Sequence, residues 1–371
     1  MGAILRRPAI ALIATSLLAG RAAAEIPAGS GNTNERITIS SGRFMVSGGQ
    51  FWINGANTPW HNWNDLGGNF DPDWWGAHFL LLHSRGINVT RIWISCSVDV
   101  GIEIDEEGHI SGATPAYWND LGRLLEIAQR NQVYVLATLM SFDHFNTHHH
   151  NFKRWRKWIG TNEGIDSYIK NYLHPLLERY GRAPSLWAID LMNEPDWVFE
   201  NAEDGKLPWA SLQSYFARAA SEIHRDSEVL VTIGMAMPKY NSDAARSAQG
   251  DKVGDASLRA VFSDPGARLD FYSTHYYDWC GPIWGNALYL SPKAYGLPAD
   301  KPSIIGEFPA HGTKGHTVTA DYESAFQNGW EGAMGWTSNS VDENGGISEL
   351  GEATLAFKQR HSELVYPAGG K

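Results

Sequence analysis

Two glutamates stand where apolar runs end. Glu194 follows Leu186-Trp187-Ala188-Ile189-Asp190-Leu191-Met192-Asn193, and Glu307 follows Ser303-Ile304-Ile305-Gly306. Burying a charge is costly unless the charge is paired or used. Pro195, directly after Glu194, stops sheet pairing and turns the chain. Two carboxyl groups converging on one bond can hydrolyse a glycoside, one as a protonated acid and the other as an ionised nucleophile. Their surroundings must then push the two pKa values apart. Other apolar runs end in matching chemistry: Arg91 and Trp93, Asp143 and His144, Asn193, His275 with Tyr277 and Trp279, and Trp336. Arg91 is placed to hold a carboxylate ionised, and Tyr277 to donate a hydrogen bond to it. The competing reading makes both glutamates structural, paired with Arg91 or Lys301. The gathering of Asn, Arg, His, Tyr and Trp at equivalent positions favours catalysis.

Those positions need a scaffold. Strand candidates at 51–58, 88–95, 132–140, 186–194, 229–235, 270–279, 302–308 and 332–338 alternate with helix candidates at 71–85, 115–131, 164–180, 208–226, 255–262, 320–330 and 351–361; the stretch through Tyr295 after the sixth strand is irregular. Strands alternating with helices imply a parallel sheet, and eight right-handed crossovers close into a (β/α)8 TIM barrel. An open doubly wound sheet is the rival, weakened because no Gly-rich turn of the dinucleotide type follows a strand. Residues 36–50 predict a short N-terminal β-hairpin. In such barrels the site lies at the C-terminal strand ends, where Glu194 and Glu307 fall three βα units apart.

Here the motifs resemble a known family. Asn193-Glu194-Pro195, His275-Tyr276-Tyr277, Gly306-Glu307-Phe308 and Trp336 are similar to glycoside hydrolase family 5 of clan A, over almost the whole chain after the leader. The resemblance implies a retaining double displacement without metal or cofactor. Glu194 would be the acid/base and Glu307 the nucleophile. Asn193 would bind the sugar 2-hydroxyl, Arg91 and Tyr277 would orient Glu307, His275 would sit against the acid/base, and Trp336 would lie under the sugar. At the third strand, where the family has a histidine, His144 is the candidate, with Phe142 as its competitor for the position. The residues before Asn193, with Arg91-Ile92-Trp93, are more similar to the β-mannanase branch than to cellulases. An internal β-1,4 linkage of mannan is therefore the expected target. An endoglucanase, an exo-β-mannosidase and a non-catalytic carbohydrate-binding barrel are the rivals.

Composition bounds the rest. The 371 residues carry a net charge of −11, a poor match for nucleic acid. Met1–Ala24 has a basic start, a short apolar core and an Ala-Ala-Ala end, the pattern of a secretory signal. Residues 25–34 read as a loose end and 35–366 as one domain. No later apolar run is long enough to span a membrane, and a monomer is expected. Sixteen tryptophans suit large cores or sugar-stacking surfaces; Trp60, Trp63, Trp197 and Trp279 follow strands, whereas Trp74, Trp75, Trp118 and Trp330 fall on helices and should be packing residues. Cys96 and Cys280 follow opposite strands and are expected to be free thiols. His144 and His148–His150 form a His-rich tract, which reads as a polar loop at the cleft rim; a metal site there is the alternative. The 153–157 run reads as a solvated face whose Trp155 could touch substrate.

Overall fold

The computed structural model describes residues 35–96 and 100–366. The expected secretory signal (1–24) and loose end (25–34) lie outside the described residues. Eight parallel strands close into a barrel: β1 (Ile53–Asn57), β2 (Val89–Trp93), β3 (Tyr134–Thr138), β4 (Leu186–Asn193), β5 (Leu230–Met235), β6 (Tyr272–His275), β7 (Ser303–Pro309) and β8 (Gly332–Trp336). Each strand pairs with the next in sequence, and β8 pairs with β1. Seven of the eight strands are buried at nearly every position, and in β5 only Leu230 is half-buried. This explains why their sequences read as apolar runs without alternation.

The helices start where local chemistry tells them to. Asp71 accepts from the backbone N–H of Asp73 and Trp74 ahead of Pro72–Ser84, and Thr114 accepts from Tyr117 N–H ahead of Pro115–Arg130; in both, proline occupies the first helical turn, where its missing N–H costs nothing. Trp52, Trp75, Trp118 and Trp330 fill the layer between barrel and helices, so the helical tryptophans are packing residues, except that Trp74 is only half-buried, stacked between His61 and His78.

A second core closes the bottom of the barrel. The predicted hairpin has a short third strand: Thr38–Ser40, Arg43–Val46 and Gly49–Gln50 form an antiparallel sheet. Its Phe44 meets Trp187 and Phe271 edge-on at 5.4 and 5.3 Å, among Ile53, Leu136, Ile304 and Met334. The arrangement plugs the end away from the site.

Further elements escaped the sequence pattern. A hairpin pairs Ile102–Ile104 with Ile110–Ala113, and residues 152–159 form a helix. On that helix the charges face outward, Arg154 pairing with Glu106 and Lys157 with Glu107. Trp155 is fully buried against Trp158, with ring centroids 5.3 Å apart. Its suggested contact with substrate is therefore corrected: it is a core residue, because the helical period turns it inward between outward-facing cations. Cys96 and Cys280 are both buried and free. Among the described residues no helix is long and apolar enough to cross a membrane.

Candidate active site

The site begins where β4 stops. All eight of its residues are buried, and the strand ends at Asn193, one residue before the sequence pattern suggests. Glu194 has φ 50° and ψ 55°, a left-handed conformation that costs a non-glycine residue of order 1 kcal/mol. The turn is held by Glu194 N–H donating to Gly234 O at 2.7 Å on β5. Pro195 then starts a short helix, Pro195–Glu200. The carboxyl is thus lifted out of the sheet into the barrel mouth.

A buried guanidinium organises the floor. Arg91 on β2 is fully buried. It donates through Nη1 to Glu307 Oε1 at 2.6 Å, through Nη2 to Asp190 Oδ2 at 2.7 Å and to Asn193 Oδ1 at 2.8 Å, and through Nε to Asp190 Oδ2 at 3.0 Å. Asp190 also accepts from Thr138 Oγ1 and Gly234 N–H. Asn57 on β1 holds Arg91 Nη1 at 3.3 Å and donates to Gly306 O at 2.9 Å. A Cβ at Gly234 would lie 2.7 Å from Arg91 Nη2 and 2.9 Å from His275 Nε2, so only glycine lets β5 pass this close. Replacing Arg91 by Met would leave two buried carboxylates without their cation. We expect a loss of about 3–5 kcal/mol of stability, read as a lower urea midpoint at unchanged slope; a shift under 1 kcal/mol would contradict it.

Above this floor the two carboxyl groups approach each other. Glu194 Oε1 lies 2.8 Å from His275 Nδ1 on β6, and that nitrogen lies 3.5 Å from Glu307 Oε1. One oxygen of each carboxylate and one His275 nitrogen all fall within 4.8 Å of one another. Tyr277 Oη donates to Glu307 Oε2 at 2.8 Å. Two carboxyls this close match the spacing of about 5–5.5 Å needed for attack by one of them, and leave no room for the intervening water of an inverting pair, which needs roughly 6.5–9.5 Å.

Electrostatics distinguishes the pair. Burial raises Glu194 to about 7, against the opposing hydrogen bond from Trp197 and the charge of Arg91. Burial also raises Glu307, opposed by His275, Arg91 and the Tyr277 hydroxyl. Glu307 touches the guanidinium directly and Glu194 does not. Burial lowers His275 to about 4, so its ring is neutral where Glu194 titrates. A carboxyl raised in the folded state adds stability below its unfolded pKa, and that stability is lost as pH rises through the folded value. For Glu194 the window runs from about 4.5 to about 7 and is worth on the order of 3 kcal/mol. Glu194→Gln removes this loss. The variant should therefore gain stability over the parent at pH 8 but not at pH 4, as read by thermal unfolding; equal differences at both pH values would refute it.

The cleft is walled by rings. Trp60, Trp63, Trp93 and Trp336 line it together with Phe142, Asp143, Trp197, Trp279, Asp342 and Asn344. Trp60 meets Trp63, Trp93 and Trp336, on the β8–β1–β2 side. Trp197 meets Trp279 at 5.8 Å, after β4 and β6, across the barrel mouth. Trp336 Nε1 donates to Asp342 Oδ2 at 2.7 Å, which fixes its ring.

Of the residues singled out in the sequence, Glu194, Glu307, Arg91, Asn193, His275, Tyr277 and Trp336 converge here. His144 does not reach the cleft. Its Nδ1 lies 3.1 Å from the backbone N and O of Ser141, and its Nε2 lies 3.2 Å from Ser95 Oγ. The 3₁₀ turn Phe142–Phe145 folds the ring back onto its own start, buried edge-on to Trp155. Burial lowers its pKa to about 3. Phe142 and Asp143 face the cleft instead. His149 stacks on Trp63 at the rim. Asn57 and Gly234 went unnoticed in the sequence, although each sits near the C-terminal end of an apolar run, where the other site residues were found. Among the described residues, two clusters could gather a cation: Glu194–His275–Glu307 and His174–Glu222–Asp226. In each, an arginine already occupies a carboxylate: Arg91 on Glu307 and Arg225 on Glu222.

No family model matches the chain. Individual relatives do. The chain is 24% identical over 339 residues to a mannan endo-1,4-beta-mannosidase of Cryptopygus antarcticus, covering 83% of this chain and 86% of that protein. It is 24% identical over 351 residues to another of that name from Mytilus edulis, covering 86% and 93%. The endo-1,4-beta-mannanase structure from Eisenia fetida superposes with a TM-score of 0.79 at 23% identity, covering 91% of this chain and 98% of that one. A family 5 mannosidase of Rhizomucor miehei shares the barrel at a TM-score of 0.55. The resemblance to glycoside hydrolase family 5 is borne out.

Proposed function

We propose that this chain is a secreted, retaining endo-β-1,4-mannanase. The observation that carries the reading is the pair of carboxyl groups at the barrel mouth, one held by a buried arginine and the other raised to about 7; relatives named as mannan endo-1,4-beta-mannosidases along most of the chain support the substrate. Glu307 attacks the anomeric carbon, forming a glycosyl ester, while Glu194 gives its proton to the departing oxygen. Glu194, now ionised, takes a proton from water. That water attacks the same carbon and releases Glu307. Two inversions give retention. Asn193 offers its Nδ2 to the 2-hydroxyl, its Oδ1 being held by Arg91. Trp336 lies under the sugar at the cleavage point. Rings on both sides of the mouth suit a polymer that crosses it, and hence internal cleavage.

The test is a product time course on mannan, carboxymethylcellulose and an aryl β-mannoside. Early release of mixed manno-oligosaccharides, with the β-anomer appearing first by NMR, is expected. Release of mannose alone would indicate exo action, and cleavage of carboxymethylcellulose but not mannan would indicate a glucanase. Binding without turnover of any of these would make the chain a carbohydrate-binding barrel. Export with removal of Met1–Ala24 would leave Glu25 as the first residue in N-terminal sequencing.

A further inference from the structure

The Glu194 carboxyl has a second hydrogen-bond partner, and it is an indole. Trp197 Nε1 donates to Glu194 Oε2 at 2.9 Å. The geometry follows from the short helix: Glu194 is the residue before its first turn and Trp197 is the third residue in it. The side chain of the third position reaches back to the capping carboxyl, where a backbone N–H ordinarily would. The other oxygen, Oε1, faces His275 Nδ1. With the imidazole proton on Nδ1, the tautomer assigned from the two carboxylate oxygens that face it, each oxygen of Glu194 accepts one N–H.

We propose that Trp197 is a positioning residue for the acid/base: its indole N–H fixes the Glu194 carboxyl and favours its ionised form, and its ring joins Trp279 in the wall where the departing sugar lies. This rests on the reading of Glu194 as acid/base. An indole N–H can only donate, so it stabilises the carboxylate over the acid. The effect opposes burial, the largest influence on this group. The same ring faces Trp279, which is 45% exposed. A sugar stacked on that wall touches the side chain that orients the proton donor.

The titratable groups around Glu194 are Arg91 on β2, Asp143 after β3, Asp190 on β4, Asp196 on the helix itself, His275, Tyr277 and Cys280 on or after β6, and Glu307 on β7. Trp197→Phe alters none of them and keeps an aromatic ring, so it isolates the N–H.

The experiment is a ¹³C NMR titration of protein labelled at the glutamate carboxyls, with Glu194→Gln to assign the signal. In Trp197→Phe the Glu194 pKa should rise by about one unit, and the alkaline limb of kcat/KM should move up with it. Trp279→Ala should raise KM for oligosaccharides and leave the pKa in place. An unchanged Glu194 pKa in a folded Trp197→Phe protein overturns the proposal. If that variant does not fold, the parent still decides: the Trp197 indole ¹H–¹⁵N signal should titrate with the Glu194 midpoint, and a signal that ignores it overturns the proposal. The titration needs no turnover, so absence of hydrolysis on every β-1,4 glycan would sink the proposed function while leaving this answer readable.

Discussion

Glu307→Ala should lower kcat on mannan on the order of 10⁴–10⁶-fold. Its carboxylate is the group that makes and breaks the covalent bond in the proposed reaction. Tyr277 Oη, 2.8 Å from Glu307 Oε2, has its pKa raised well above the ordinary value by burial and the neighbouring carboxylates, so it is not a nucleophile at neutral pH. The vacated space leads to a second reading. Azide entering there attacks from the face the carboxylate left, and the product is a glycosyl azide of inverted anomeric configuration. Recovery of activity by azide with that product identifies the nucleophile. A loss smaller than tenfold, or a retained azide product, would show that Glu307 is not the attacking group. Circular dichroism and a denaturant midpoint are needed beside it, because Arg91 loses one of its two carboxylate partners.

Glu194→Gln should lower kcat on mannan about 10²–10⁴-fold and remove the alkaline limb of the pH profile. Glycosylation needs Glu194 protonated, so kcat/KM of the parent should fall above pH about 7, where the buried carboxyl ionises. Glutamine keeps the shape and still accepts from Trp197, but it has no proton to give and does not titrate. Leaving groups that need no protonation, such as dinitrophenolate, should escape the first-step defect. The ester at Glu307 would then accumulate, and azide should resolve it into a product of retained configuration. An alkaline limb that persists in Glu194→Gln would assign it to another group. His275 is the neighbour to consider, but burial places its titration near pH 4, on the acid side.

Much of this site was readable in one dimension. A barrel strand is buried on both faces, so it appears as an apolar run, and the residue that ends the run sits at the mouth. That rule brought out Glu194, Glu307, Arg91, Asn193 and Trp336. It worked less well at β6, where the apparent strand extends to Trp279 but pairing stops at His275. Tyr277 reaches Glu307 from the loop beyond. The ladder shifts between Thr274 and His275, between Thr232 and Gly234, and between Ile305 and Phe308. Such bulges re-aim side chains near active sites, and their effect depends on the partner strand, which local sequence does not contain. His144 shows the same limit. Its place after β3 suits a ligand, yet the Ser141 turn closes on its ring and sends it inward.

Local pattern determined the eightfold alternation, the convergence of two glutamates at strand ends and the family those motifs resemble, because strand length, burial on both faces and helix caps are properties of short segments. Tertiary structure decided the rest. Asp190 and Glu307 share one guanidinium because β2 stands between them in space, not in sequence. Gly234 must lack a side chain because Arg91 and His275 crowd it from other strands. Glu194 rises to about 7 because closing the barrel removes water from it, while the cation goes to Glu307 instead. Desolvation and charge pairing depend on distances across the barrel, and those exist only once it has closed.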